Sequence, residues 1–343
     1  MIFVTGGTGL VGAHLLFELV KKGKKIKALK RETSNTGQVK KTFSYYSENP
    51  EELFNRIDWV NGDLLDYFSL EKLLEGVTEI YHCAALVSFQ SKDRKKMISN
   101  NVEGTSNLVN AALEKKVSKI CHVSSVAALG RLQNGDPVTE NTNWVPSKKV
   151  LGYSESKYFS ETEIWRGIEE GVDAVIVNPS IIFGPANWEN GSAKMFKSIW
   201  DGLKFYTKGV TGFVDVKDVV KAMILLMDNQ NFEKCKNQRY LLSAENLSYQ
   251  DVFNQIANAL GKPGPTINAT NFMLALAWRL AALWSVFSRK PSFITKETVL
   301  ASNSINKFDG SKIKNCFGFS YLPVSDSIQQ TGEFLKRDML QTN

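Results

Sequence analysis

A short strand-like run, Ile2-Phe3-Val4, passes at once into Thr5-Gly6-Gly7-Thr8-Gly9-Leu10-Val11-Gly12 and then into an apolar-periodic helical stretch, Ala13 to Val20. Glycines at 6, 9 and 12 let the backbone turn sharply, approach a pyrophosphate closely and pack the helix on the strand. The helix N-terminus presents free N–H groups to the anion. The order strand, glycine loop, helix therefore predicts a dinucleotide grip, with Thr5, Gly6, Gly9, Leu10, Val11 and Gly12 around the phosphates. A purely structural tight turn is the alternative. The spacing is G-x-x-G-x-x-G, not the G-x-G-x-x-G of simple dehydrogenases.

Further strand-like runs follow at Ile26 to Leu29, Asp58-Trp59-Val60, Glu79 to His82, Lys119 to Val123 and Ala174 to Val177, with helical patterns at Phe68 to Glu75, Val102 to Lys115 and Ser154 to Glu169. Strands alternating with helices of this length imply an α/β fold: a Rossmann-like doubly wound parallel sheet with right-handed crossovers. After Pro179 the rhythm breaks at Gly184-Pro185, Gly191, Gly202, Gly209 and Gly212. It resumes with a strand-helix element at Gly212 to Met227 and a strand at Tyr240 to Ser243. The expected division is a dinucleotide-binding domain over 1–178, completed by 212–243, and a smaller, mostly helical C-terminal substrate-binding region formed by 179–211 and 244–343.

At 343 residues the chain can bury a large core, and 43% hydrophobic with 22% charged residues is ordinary for a globular enzyme. The formal charge of +7 comes from scattered lysines without an arginine-rich or aromatic-interleaved stripe, so no nucleic-acid partner is expected. Cys83, Cys121, Cys235 and Cys316 show no C-x-x-C pair, and His14, His82 and His122 are too scattered for a metal site. A reducing cytoplasm fits this cysteine usage. The chain starts directly on a strand pattern, with no secretion leader expected. The most apolar stretch, Phe272 to Phe287, is interrupted by Arg279 and falls short of the roughly 20 residues that span a bilayer. It reads as a buried or lid helix, with peripheral membrane contact through Trp278, Trp284, Arg289 and Lys290 as the alternative.

Tyr153-Ser154-Glu155-Ser156-Lys157 puts a phenol and an ammonium one helical turn apart on one face. The spacing is common; its place on the helix before the strand Ala174 to Val177 gives it weight. A nearby lysine charge stabilises phenolate and lowers the tyrosine pKa, making the pair a proton donor or acceptor for a carbonyl/alcohol couple. Ser124 and Ser125 follow the strand Lys119 to Val123, at the edge where open α/β sheets bind ligands. Either hydroxyl can hold a substrate oxygen near the tyrosine.

With these pieces on view, the chain resembles an extended short-chain dehydrogenase/reductase of the NAD(P)-dependent epimerase/dehydratase superfamily, over essentially its whole length. The matching pieces are the Thr5 to Gly12 loop, Asp63-Leu64-Leu65-Asp66, His82-Cys83-Ala84-Ala85, Asn101-Val102-Glu103-Gly104-Thr105, the serine pair, Tyr153/Lys157, Asn178-Pro179-Ser180 with Gly184-Pro185, and Phe213 to Val219. The resemblance implies that Ser125 orients the substrate, Tyr153 is the acid/base and Lys157 holds phenolate and nicotinamide ribose. It implies further that Asp63 and Leu64 meet the adenine side, that Ala84, Ala85 and Ser124 line the cofactor, that Asn101 supports the site, and that Pro179 flanks the nicotinamide. A homodimer through the helices bearing Tyr153 and Asn101 is a further implication.

Two departures narrow the resemblance. Where NAD-preferring relatives carry an aspartate after the second strand, this chain has Lys30-Arg31, which suits a 2′-phosphate; NADP is the expected cofactor and NAD the alternative. Before Phe213, where members acting on nucleotide-diphosphate sugars often place an arginine, stands Gly212. The chain thus looks closest to the dihydroflavonol-reductase-like and 3β-hydroxysteroid-dehydrogenase-like branch, with Phe89 and the apolar helix suited to a weakly charged carbonyl/alcohol substrate. A nucleotide-sugar epimerase or dehydratase, and a catalytically silent NAD(P) sensor, are the rival readings.

Overall fold

The computed structural model describes residues 1–132, 135–146, 152–288 and 295–341. Arg289 and Lys290 lie outside them. Seven strands form one parallel sheet: β1 (Ile2–Thr5), β2 (Ile26–Lys30), β3 (Ile57–Asn61), β4 (Glu79–His82), β5 (Lys119–Val123), β6 (Ala174–Pro179) and β7 (Gln238–Leu242). In space they run β7-β6-β5-β4-β1-β2-β3, each pair parallel. Central β1, β5 and β6 are buried at every position, because helices cover both faces, whereas the edge strand β3 is half open. One face buries Val4, Leu16, Tyr81, Cys121, Val175 and Val219; the other buries Phe3, Ile80, Leu108, Ile120, Ile164 and Ile176.

The strand order turns between β1 and β4. From β1 the chain builds outward through β2 to β3, then returns and builds the other way from β4. Such a reversal leaves a crevice at the carboxyl ends of the two strands, where ligands of open α/β sheets bind. Here those ends are Thr5-Gly6 and His82-Cys83-Ala84.

The C-terminal region contains more strand than the sequence suggested. Val210–Asp215 lies between Ile181–Phe183, parallel, and Glu245–Ser248, antiparallel. Gly212–Asp215 thus pairs into this second sheet, and the large sheet is completed by the helix Val216–Met227 and by β7. The second core gathers Phe183, Phe196, Phe213, Val252, Ile256 and Leu335. Asp338, on the last helix, Val324–Gln341, accepts hydrogen bonds from Tyr45 and Trp188, both at 2.6 Å, and pairs with Lys41 at 2.8 Å, tying the two regions together.

The apolar stretch is the helix Asn271–Ser288, but it is not a buried one. Among its described side chains, 271–281, none is buried, and the helix packs on the short helix Lys296–Ser302. Its nearly all-round apolar composition carries no periodicity to say which face is covered. No helix among the described residues is long and apolar enough to cross a membrane.

Candidate active site

The glycine loop divides its glycines by role. Gly6 has φ +69° and a Cβ there would lie 2.5 Å from the Ala84 nitrogen; a Cβ on Gly12 would lie 2.2 Å from the Gly6 carbonyl oxygen. Both are required by the approach of backbone to backbone. Gly9 is different: its φ is −84° and a Cβ would meet only the Gly6 oxygen, at 3.4 Å. The space it leaves open is at the N-terminus of the helix Leu10–Lys21, which has no side-chain cap and no acidic residue in its first turn. Its first N–H groups therefore await an acceptor, as an anion site requires.

That opening belongs to a cavity of about 260 Å³ between β1, β2 and β4, lined by Gly6, Thr8, Gly9, Lys30, Arg31 and Ser34 on one side and by Asp63, Leu64, Ala84, Ala85, Leu86 and Asn101 on the other. The chain turns after β2 through Arg31 and Ser34, each backbone N–H meeting an oxygen of the other: Arg31 N–H donates to Ser34 Oγ at 3.0 Å and Ser34 N–H to the Arg31 carbonyl at 2.9 Å. The Lys30 ammonium is held by Asn61 Oδ1 at 2.8 Å, while Arg31 is exposed beside it. Asp63 accepts the Leu65 N–H at 3.0 Å, and Asn107 holds the Leu64 carbonyl at 3.0 Å, so this loop is fixed before any ligand arrives. The cavity's size, donors and cations fit the phosphate and adenosine side of a dinucleotide.

Asn101 joins the cavity to the second cluster. It sits in a π-helical turn, Ser99–Glu103, a geometry often kept at functional sites. Its Oδ1 accepts the Leu86 N–H at 2.7 Å; its Nδ2 donates to the Leu86 carbonyl at 2.9 Å and to Ser156 Oγ at 2.7 Å. Ser156 lies on the helix Gly152–Glu169, between Tyr153 and Lys157. The Ser125 side chain lies close enough to the Tyr153 hydroxyl to pull its pKa down, and Ser125 Oγ accepts the Ala127 N–H at 3.1 Å. Phe89 packs on the Tyr153 ring, centroids 5.7 Å apart. Lys157 is buried and donates to the Val123 carbonyl at 2.9 Å. Ser125, Tyr153, Lys157, Asn101 and Phe89 are thus assembled in one place.

The electrostatics correct one expectation. Burial raises the Tyr153 pKa, the Ser125 hydrogen bond opposes the rise, and Lys157 makes no resolved contribution. Burial also holds Lys157 down to about 8. Tyr153 is therefore a neutral phenol at neutral pH, set to give a proton. Four other expected contacts have their side chains engaged elsewhere. Ser124 donates to Glu161 at 2.6 Å. Thr5 bonds His82 Nδ1 at 2.7 Å and accepts the Ala84 N–H at 3.3 Å. Val11 is packed in the core, leaving only its backbone for a phosphate, and Leu10 packs against that core. Pro179 ends β6 opposite Leu242, outside the cavity lining.

The profile of the NAD dependent epimerase/dehydratase family matches residues 2–240. The chain belongs to that family. A Synechocystis sp. protein provisionally named a dihydroflavonol 4-reductase is 31% identical over 334 residues, which cover 96% of this chain and 91% of that one. Cinnamoyl-CoA reductase 1 of Petunia hybrida is 28% identical over 347 residues, covering 98% and 92%. The solved structure of a UDP-glucose 4-epimerase from Thermotoga maritima superposes with a TM-score of 0.76 at 18% identity over 98% and 99% of the chains, a likeness of fold alone. As an extended short-chain dehydrogenase/reductase, the chain is an NAD(P)-dependent oxidoreductase, and its cofactor is a nicotinamide dinucleotide.

Beside the expected residues, this family member has a buried polar layer in which Glu161 and Arg239, which the sequence did not single out, join Ser124 and Asn178. Glu161 accepts from Ser124 at 2.6 Å, Asn178 at 2.7 Å, Arg239 at 3.1 Å and Trp165 at 3.2 Å; Asn178 also donates to the Ser125 carbonyl at 3.1 Å. Glu161 stands four residues after Lys157, so helical spacing offered a signal; Arg239, brought in by β7, offered none. His82 shows a second fixed set. Thr105 Oγ donates to the Asn101 carbonyl at 2.6 Å and so receives the His82 Nε2 proton at 3.0 Å, leaving Nδ1 to accept from Thr5. Burial keeps His82 neutral, with its pKa pushed down to about 3.

Proposed function

We propose that this enzyme uses NADP(H) to interconvert a carbonyl and a hydroxyl on a weakly charged small substrate, with Tyr153, Ser125, Lys157 and Asn101 as its working residues. The observation that carries the reading is the buried Tyr153 hydroxyl set beside the Ser125 side chain and backed by the ring of Phe89. The bound nicotinamide supplies or takes up the hydride. In the reducing direction Tyr153 gives its hydroxyl proton to the substrate oxygen, and Ser125 Oγ donates to that oxygen, polarising the carbonyl. Lys157, one helical turn from Tyr153 and positive below its pKa, is placed to hold the nicotinamide ribose. Asn101 holds the Leu86 loop against the Tyr153 helix and keeps the cavity aligned with the proton donor.

A nucleotide-sugar epimerase asks for a cation toward the sugar phosphates. At the position before Phe213 a Cβ would lie 2.3 Å from Ser243 Oγ and 3.0 Å from Phe308 and Ser180, so Gly212 leaves no room for an arginine without rearrangement. The assembled Ser125, Tyr153 and Lys157 likewise disfavour a silent sensor. Four cysteines without disulfides fit a cytoplasmic location. The outward faces of the Gly152–Glu169 and Gly104–Glu114 helices are the proposed homodimer contact.

Lys30, Arg31 and Ser34 carry the cofactor preference. In separate fluorescence titrations, NADPH is expected to bind about ten- to a hundredfold more tightly than NADH, the range of one or two charge-assisted hydrogen bonds. Arg31→Ala is expected to remove most of that difference. Equal or tighter NADH binding by the unaltered protein would overturn the assignment.

A further inference from the structure

We propose that the end of the molecule formed by the helix Asn271–Ser288 and the short ladder beside it is a docking face for an anionic lipid surface, at the depth of the headgroups. Phe272, Leu276 and Leu280 recur every four residues, on one face of the helix, and are 77%, 50% and 56% exposed. The ladder that leads into the helix pairs Phe205 with Ile267, and both are exposed large apolar residues. Asn303 donates to Asn271 at 3.0 Å and brings exposed Ile305 to the same end. Six of the largest exposed apolar side chains are thus on neighbouring segments, unlike the scattered single exposures that soluble surfaces tolerate.

Charge selects the partner. The contributing segments, 202–210, 261–281 and 302–308, contain Lys204, Lys208, Lys262, Arg279 and Lys307; the acidic residues that border them are Asp201, paired with Lys197 at 2.6 Å, Glu297 and Asp309, so cations prevail. Lys204, Lys208, Arg279 and Lys307 are exposed. The Arg279 guanidinium stacks over the Trp278 ring at 4.6 Å, and the Lys262 ammonium over Trp200 at 4.4 Å. Apolar residues flanked by cations and by tryptophans of mixed character are the composition of an interfacial helix, and a net charge of +7 adds attraction toward anionic headgroups. The helix is too short of apolar residues to cross a bilayer, so the contact is peripheral.

Flotation of the full chain with phosphatidylcholine vesicles, with and without phosphatidylglycerol, tests this. Binding is expected only with phosphatidylglycerol and is expected to weaken as salt rises. Phe272→Ser/Leu276→Ser/Leu280→Ser should abolish it while leaving NADPH binding and the oligomeric state unchanged. Lys204→Ala/Lys208→Ala/Arg279→Ala should weaken it by on the order of tenfold to a hundredfold. Failure of the unaltered chain to float with anionic vesicles, or unchanged flotation of the triple serine variant, would overturn the proposal. A change of mass in light scattering for that variant would instead assign the face to a second copy of the chain, and would equally overturn it.

Discussion

Gly9 and Gly12 are one residue type three positions apart, and they are glycine for different reasons. A methyl on Gly12 meets the Gly6 carbonyl at 2.2 Å and cannot be relieved by a side-chain movement, whereas a methyl on Gly9 touches nothing closer than 3.4 Å and points into the space that the cofactor phosphates need. Gly12→Ala is therefore expected to lose about 1–3 kcal/mol of stability or more in chemical denaturation. Gly9→Ala should unfold close to the unaltered protein yet bind NADPH at least about tenfold more weakly, roughly one lost charge-assisted contact. Equal destabilisation by both changes would contradict the division. Lys157 gives the second residue-level expectation. Its pKa lies below the ordinary 10.5 because burial penalises the ammonium, with Glu161 opposing; the Cys83 thiol, pushed up to about 12, is uncharged and adds nothing at neutral pH. Since the folded chain binds fewer protons than the unfolded one between about 8 and 10.5, the burial cost is present at neutral pH and is relieved as pH rises through that window. Activity runs the opposite way and is expected to fall as pH rises through about 8, when Lys157 loses its charge. Glu161→Gln, which keeps the side chain's size but removes the charge and turns one acceptor into a donor, should move that limb of the kcat/KM profile to lower pH. A limb that stays in place would detach Lys157 from it.

Among the elements, the strands were the most legible. β4 and β5 have the limits that their apolar runs set, because a central parallel strand is buried on both faces and reads as a continuous apolar run. Less legible was the π-helical turn around Asn101, where one extra residue per turn leaves no compositional mark. Of the second sheet the strand at Gly212 was read, but its partners Ile181–Phe183 and Glu245–Ser248 were missed because they are short. The Asn271–Ser288 helix was legible as a helix but not in its exposure, since an apolar sequence does not reveal whether another surface exists to cover it. The Gly152–Glu169 helix carries the dimer proposal. Phe159 on it is 39% exposed and lies against the stacked pair Trp144 and Tyr158, whose centroids are 4.2 Å apart, an aromatic surface suited to a two-fold contact. Light scattering is expected to give twice the chain mass, and Phe159→Lys to give the monomer. A monomeric unaltered chain at micromolar concentration would contradict the dimer.

For the molecule as a whole, the reversal of strand order between β1 and β4 determines where chemistry can occur. It opens the crevice, the glycine loop and the Arg31 turn line one side of it, and the Asn101 bridge ties it to the helix that carries Tyr153, which lies outside the cavity lining. Motif residues near these strand ends were readable because their spacing is tied to backbone geometry. The Glu161–Arg239 layer was not, because it joins residues from distant elements and shows no local pattern. The C-terminal region, proposed above to cover the substrate, follows no motif, so its side chains carried no readable signal. In the proposed reaction the proton comes from Tyr153 while the cofactor is held independently of it. The most direct measurement is the rate of NADPH oxidation by Tyr153→Phe, on a carbonyl compound that the unaltered enzyme reduces, with NADPH affinity measured in the same preparation. The expected result is a loss of on the order of a hundredfold to ten-thousandfold in kcat with NADPH binding little changed, as for removal of a general acid. A variant that retains the unaltered rate would contradict the account.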